Sequence, residues 1–153
     1  MHYFNGFLGV IVGLATPLAL WVLFYSTKSG NSYSFDIANA PGSFEPYLAK
    51  YLKIAETLIG LASGSIVLLV GSLAIHGQSG TLSSSYASAL FMFVFTVLYG
   101  LVYSVWIVRR YEDSQHDGSL TRAAYALCET FGFSALCCFV AGYVWLIFSI
   151  TGR

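Results

Sequence analysis

Two carboxylates stand at the head of apolar runs. Glu56 opens the segment ETLIGLASGSIVLL and Glu129 opens ETFGFSALCC, in a chain of which only 9% is charged. A carboxylate facing water inside a membrane pore attracts cations, and acidic rings at a pore mouth select them. Helical spacing puts Glu56 on one face with Gly60, Gly64, Val67 and Gly71. Glu129 precedes Gly132 and Leu136 on its own face. Both glutamates are therefore expected to turn inward, as pore or mouth candidates together with Gly60 and Gly64. Counting ~20 hydrocarbon-core residues back from His76 and Ile150 sets both at the inner membrane boundary. At that depth a second reading competes. A carboxylate near a helix N-terminus is favoured by the dipole by roughly 0.3–1 kcal/mol, and Lys53 lies one turn before Glu56.

Six of the seven Lys and Arg residues fall in two loops: Lys28, Lys50, Lys53, Arg109, Arg110 and Arg122. These are candidates for contact with anionic lipid or with an anionic cytosolic ligand or protein partner. Paired haem ligation by His2 and His76 would require both inside the bilayer, and both fall at its outer surface. Glu112, Asp113, His116 and Asp117 have the ligand types for a divalent cation, but their spacing reads as a solvated turn. Cys128, Cys137 and Cys138 share one apolar segment without CxxC spacing, so they read as small buried packing residues. No GxGxxG, Walker loop, GxSxG or HExxH occurs. No residue is nominated as catalytic, no metal or cofactor is expected, and the chain is read as a non-enzyme.

The elements that must position these residues follow from composition. Of 153 residues 57% are hydrophobic, and the mean hydropathy is +0.72. A soluble fold of this size lacks the polar groups to cover such a surface. Four apolar segments, at 5–26, 54–76, 86–108 and 123–150, meet the ~20 residues needed to cross a bilayer. They must be helices, because an open sheet would leave backbone groups unpaired in lipid. No basic residue precedes the first segment and no A-x-A site closes it, so it reads as a retained helix rather than a signal peptide. The basic loops, 27–53 and 109–122, are expected in the cytosol. The outer loop is then 77–85, and both termini lie outside. Within the first loop, KSGNSYSFDIANAPGS reads as irregular, and EPYLAKYLKIAET as a helical lead-in continuous with the second span.

Each span has small residues four apart: Gly9/Gly13, Gly60/Gly64, Thr96/Gly100/Ser104 and Ser134/Cys138/Gly142. In lipid, helices associate through the close backbone approach that such stripes allow. A four-helix monomer uses only part of each helix surface, so spare stripes point to self-association. Pro17 removes one ladder bond and is expected to kink the first helix near Gly13. Tyr25-Ser26 and Tyr103-Ser104 end alternate spans, and Glu56-Thr57 and Glu129-Thr130 open the others, the pattern of two parallel hairpin repeats. The expectation is an all-α integral membrane protein: a four-helix transmembrane bundle assembled as a homo-oligomer in a bacterial inner membrane. Its expected function is a channel or pore gated at the basic cytosolic face. The alternatives are a non-catalytic subunit or anchor of a larger complex, and a small membrane enzyme or transporter acting on a lipid or quinone.

Overall fold

Backbone N–H and C=O groups in hydrocarbon have no water to bond, so each apolar run closes its hydrogen bonds upon itself. A computed structural model describes residues 2–30, 32–33, 44–75, 84–117 and 120–151. The helices are α1 (His2–Thr27), α2 (Glu45–Ile75), α3 (Ser84–Asp117) and α4 (Arg122–Thr151). All four are long and apolar enough to cross a membrane, in keeping with an all-α bundle and an integral membrane location. A two-residue strand, β1 (Ser32–Tyr33), pairs antiparallel with β2 (Leu120–Thr121). This ribbon joins the two basic loops at one end of the bundle, called the basic end below.

One boundary differs from the sequence expectation. The segment 109–117, read as a loop, continues α3 for a further two and a half turns or so. It contains neither Gly nor Pro until Gly118, and local bonds hold it. Arg110 pairs with Asp113 at 3.0 Å, and the Ser114 hydroxyl donates to the Tyr111 carbonyl at 2.8 Å. The lead-in to the second span is helical from Glu45, as expected, with Pro46 in the first turn. Its Leu48 and Ala55 are buried, and the Phe44 ring lies against those of Tyr47, Tyr51 and Tyr111. Of the segment read as irregular, Ser32–Tyr33 forms the strand and 34–43 lies outside the described residues, as do His76 and most of the outer loop.

α3 is the central helix. It packs on α1, α2 and α4, whereas α2 and α4 meet only sparingly. The core around it holds Ala62, Ala89, Met92, Phe93 and Thr96, all without solvent exposure. The stripe residues explain the closeness of these crossings. A Cβ on Gly9 would lie 2.8 Å from the Cα of Ser88, and one on Gly142 would lie 2.9 Å from the Phe93 ring. On Gly100 it would meet Ile59 at 2.8 Å. The stripes of α1, α3 and α4 are therefore used inside the chain. The α2 stripe is not: among the described residues, nothing lies within 4 Å of such a Cβ on Gly60, Gly64 or Gly71.

α1 runs unbroken through Pro17. Proline has no N–H, so the Gly13 carbonyl, four residues back, loses its ladder donor. The Tyr99 hydroxyl of α3 takes that place, donating to the Gly13 oxygen at 2.9 Å. The geometry is local in origin. Gly13 has no side chain, so Phe95 lies against its Cα, and Tyr99 stacks on Phe95 with centroids 5.7 Å apart.

Candidate functional site

The two glutamates have different surroundings. Glu56 projects outward from α2 with a 67% exposed side chain, and its only ion pair among the described residues is with Lys53 at 3.4 Å. An exposed i,i+3 pair of this kind contributes little to stability. Its face continues into Gly60, Gly64 and Val67, all exposed. The inward turn expected for Glu56 and its glycines does not bring them against another helix of the same chain. Spacing gives the direction of a face but not the neighbour it meets.

Glu129 is inside the bundle edge. The Lys28 ammonium donates to its Oε1 at 2.9 Å, with the side chains 23% and 27% exposed. Lys28 follows the last turn of α1, and Glu129 lies at the end of the second turn of α4. The same ammonium sits 4.6 Å from the centre of the Tyr125 ring. One turn earlier Arg122 makes the reciprocal contact. Its guanidinium donates to the Tyr25 carbonyl and stacks over the Tyr25 ring at 4.3 Å. A C-terminal carbonyl of α1, left without a helical donor, is thereby satisfied by a cation. Lys28 and Arg122 thus latch the end of α1 to the start of α4. Glu129 Oε2 is buried and has no hydrogen-bond partner among the described residues.

The remaining basic candidates face outward to different degrees. Arg110 is engaged with Asp113 and lies over the Trp106 ring at 4.7 Å. Lys50 lies 5.5 Å from the centre of the Tyr47 ring. Lys50, Lys53 and Arg109 are exposed. Glu112, Asp113 and His116 lie on the extension of α3, and among the described residues no three His, Cys, Asp or Glu side chains converge on a metal site. Haem ligation by His2 and His76 concerns side chains outside the described set. Cys128 and Cys138 are buried as expected of packing residues, whereas Cys137 is exposed. Adjacent residues on a helix point about 100° apart, so Cys137 and Cys138 cannot share one face.

Beside Glu129 is a cavity of about 340 Å³ that sequence reasoning did not anticipate. α3 forms its back with Gly100, Tyr103 and Ile107, and α2 and α4 form its sides. Ala55 and Ala135 add little bulk to its wall, whereas a Cβ on Gly100 would meet Ile59 at 2.8 Å and one on Gly132 would meet Tyr103 at 3.0 Å. Apart from Glu129, the described lining residues with polar side-chain groups are Tyr51, Tyr103, Tyr125 and Cys128. Farther along, the cleft is bridged by Ser65 and Tyr143, whose oxygens are 2.7 Å apart. Ser65 donates to the Leu61 carbonyl at 2.8 Å, so the Tyr143 hydroxyl is the donor of the bridge. One signal for such contacts was readable in the sequence. A tyrosine amid an apolar span needs a hydrogen-bond partner there, although its identity depends on packing.

The geometry thus offers two features: an outward glycine face carrying Glu56, and a half-open cavity lined in part by Glu129. Comparison with protein-family models, with curated proteins and with solved structures finds no match for this chain.

Proposed function

We propose that this chain assembles with copies of itself through the exposed glycine face of α2, forming a cation-conducting pore with Glu56 at its mouth. The observation that carries this reading is the contrast between stripes. Those of α1, α3 and α4 are filled by neighbouring helices, and that of α2 meets nothing within 4 Å among the described residues. Glycine offers lipid tails little surface, but it lets a second backbone approach closely. The natural occupant of such a face is another helix, and a second copy brings the matching glycines. Symmetry then multiplies Glu56 around one axis, the arrangement that favours cations.

Positive-inside bias orients the basic end toward the cytosol and both termini outward. There the exposed Lys50, Lys53 and Arg109 would also be repeated around the axis, a field that attracts an anionic ligand or partner. A bacterial inner membrane is the location this reading supposes.

The test is the number of copies in lipid together with ion flux from liposomes. Wild type is expected to be oligomeric and to release potassium. Glu56→Gln should change cation preference, and Gly64→Leu should reduce both assembly and flux. A monomer in lipid without flux refutes the reading. A stoichiometric second protein on this face, displaced by Gly64→Leu, would instead establish the subunit or anchor alternative.

A further inference from the structure

The cavity beside Glu129 lies on the other side of α2 from the glycine face. Ile54, Ala55 and Leu58 line it, and at 100° per residue they point roughly opposite to Glu56, Gly60 and Gly64. An inference about the cavity therefore does not rest on the pore reading.

Its chemistry is specific. About 340 Å³ lies within the range of small-molecule sites, roughly 300–1,000 Å³. The rim between α2 and α4 is made of exposed apolar residues: Ile54 at 57%, Phe133 at 49% and Leu136 at 43% exposure. In a spanning helix these positions adjoin hydrocarbon, so the cavity opens sideways toward lipid chains. An apolar space with that opening takes a hydrocarbon chain in preference to water. The inner wall, by contrast, carries a carboxylate. Its Oε1 is occupied by Lys28, and among the described residues its Oε2 is buried without a donor. A buried acceptor of this kind is costly until a donor reaches it. Because Lys28 already balances the charge, the missing group is an uncharged donor, and a hydroxyl is the simplest that a lipid carries.

We infer that this cavity binds a single-chain membrane amphipath with an uncharged hydroxyl headgroup, the hydroxyl donating to Glu129 and the chain leaving between α2 and α4. Oε2 is closed off in this structure, so binding requires the Glu129 carboxylate to turn about its terminal bond, a torsion with a broad profile. Tyr51, Tyr103 and Tyr125 line the cavity with Glu129 and bound the headgroup, and Leu58 and Leu136 contact the chain.

The test uses the full chain in phosphatidylcholine vesicles and a long-chain fatty alcohol bearing a photoactivatable diazirine. Labelling is expected on peptides containing Leu58, Tyr103 or Leu136. The unlabelled alcohol should compete about tenfold better than the alkane of equal length, the equivalent of about 1.4 kcal/mol. Leu136→Trp fills the cavity from its exposed rim, leaves the ion pair intact, and should abolish labelling. Leu98→Trp, on a lipid-exposed position outside the cavity, should leave it unchanged. The double substitution Lys28→Met with Glu129→Leu removes the acceptor without stranding a charge, and should make alkane and alcohol compete equally. Equal labelling of the Leu136→Trp and Leu98→Trp proteins would overturn the proposal. So would an alkane that competes with wild type as well as the alcohol does.

Discussion

Replacing Tyr99 by phenylalanine removes one oxygen, and the structure says which group loses by it. The Tyr99 hydroxyl donates at 2.9 Å to the Gly13 carbonyl, which Pro17 deprives of its helical donor. A buried acceptor left without a partner costs about 1–3 kcal/mol. Interhelical hydrogen bonds in membranes average nearer 0.6 and reach about 1.7 kcal/mol, because the separated helices also find partners. Tyr99→Phe should therefore destabilise the bundle by about 1–1.5 kcal/mol. Pro17→Ala supplies an N–H at position 17 that can bond to the same carbonyl. In that background Tyr99→Phe should cost about 0.5 kcal/mol or less, since one helical donor already satisfies Gly13. The stacking of Phe95 and Tyr99 survives in both backgrounds and cancels from the cycle. Reversible unfolding in mixed micelles titrated with dodecyl sulfate, followed by circular dichroism, measures all four proteins. A coupling energy of about 0.5–1 kcal/mol is expected. If Tyr99→Phe costs the same with and without Pro17, the reasoning fails: the carbonyl would not have depended on Tyr99.

The latch between α1 and α4 gives a second prediction. Glu129→Ala or Lys28→Ala alone strands a partly buried charge and should cost about 1–3 kcal/mol in the same unfolding assay. The paired apolar substitution should recover at least half of that loss. Glycine position gives a third. Gly9→Leu must push a side chain against the Ser88 backbone, which cannot yield as a side chain does, and should cost about 2 kcal/mol or more. Gly64→Leu, with open space around it, should leave the unfolding midpoint of the isolated chain within about 0.5 kcal/mol of wild type.

The helical, membrane-spanning character was legible in the residues because it depends on composition and run length. Apolar runs of this length have few structural options in lipid, whatever surrounds them. The lead-in to α2 was legible for a related reason, since proline placement and local periodicity act within one turn. The polar extension of α3 was misread because polarity was taken to mean loop. RRYEDSQHD is polar on a helix that projects beyond the apolar span, and its bonds are i,i+3 contacts.

The limits appear at particular residues. Glu56 and Glu129 head similar apolar runs, but one stands exposed and the other is held by Lys28, a partner 101 residues away in sequence. Four small-residue stripes were equivalent on paper, and packing consumed three of them. The reason is that a nearly uniform apolar helix shows little amphipathic contrast, so periodicity cannot tell a face that meets protein from one that meets lipid. A cavity is harder still to foresee, because its wall is assembled from residues of α2, α3 and α4 that lie far apart in sequence. Chain composition set the solvent, the helices and the basic end. Helix packing determined which glutamate is shielded, which glycines remain open, and where a space large enough for a ligand is left.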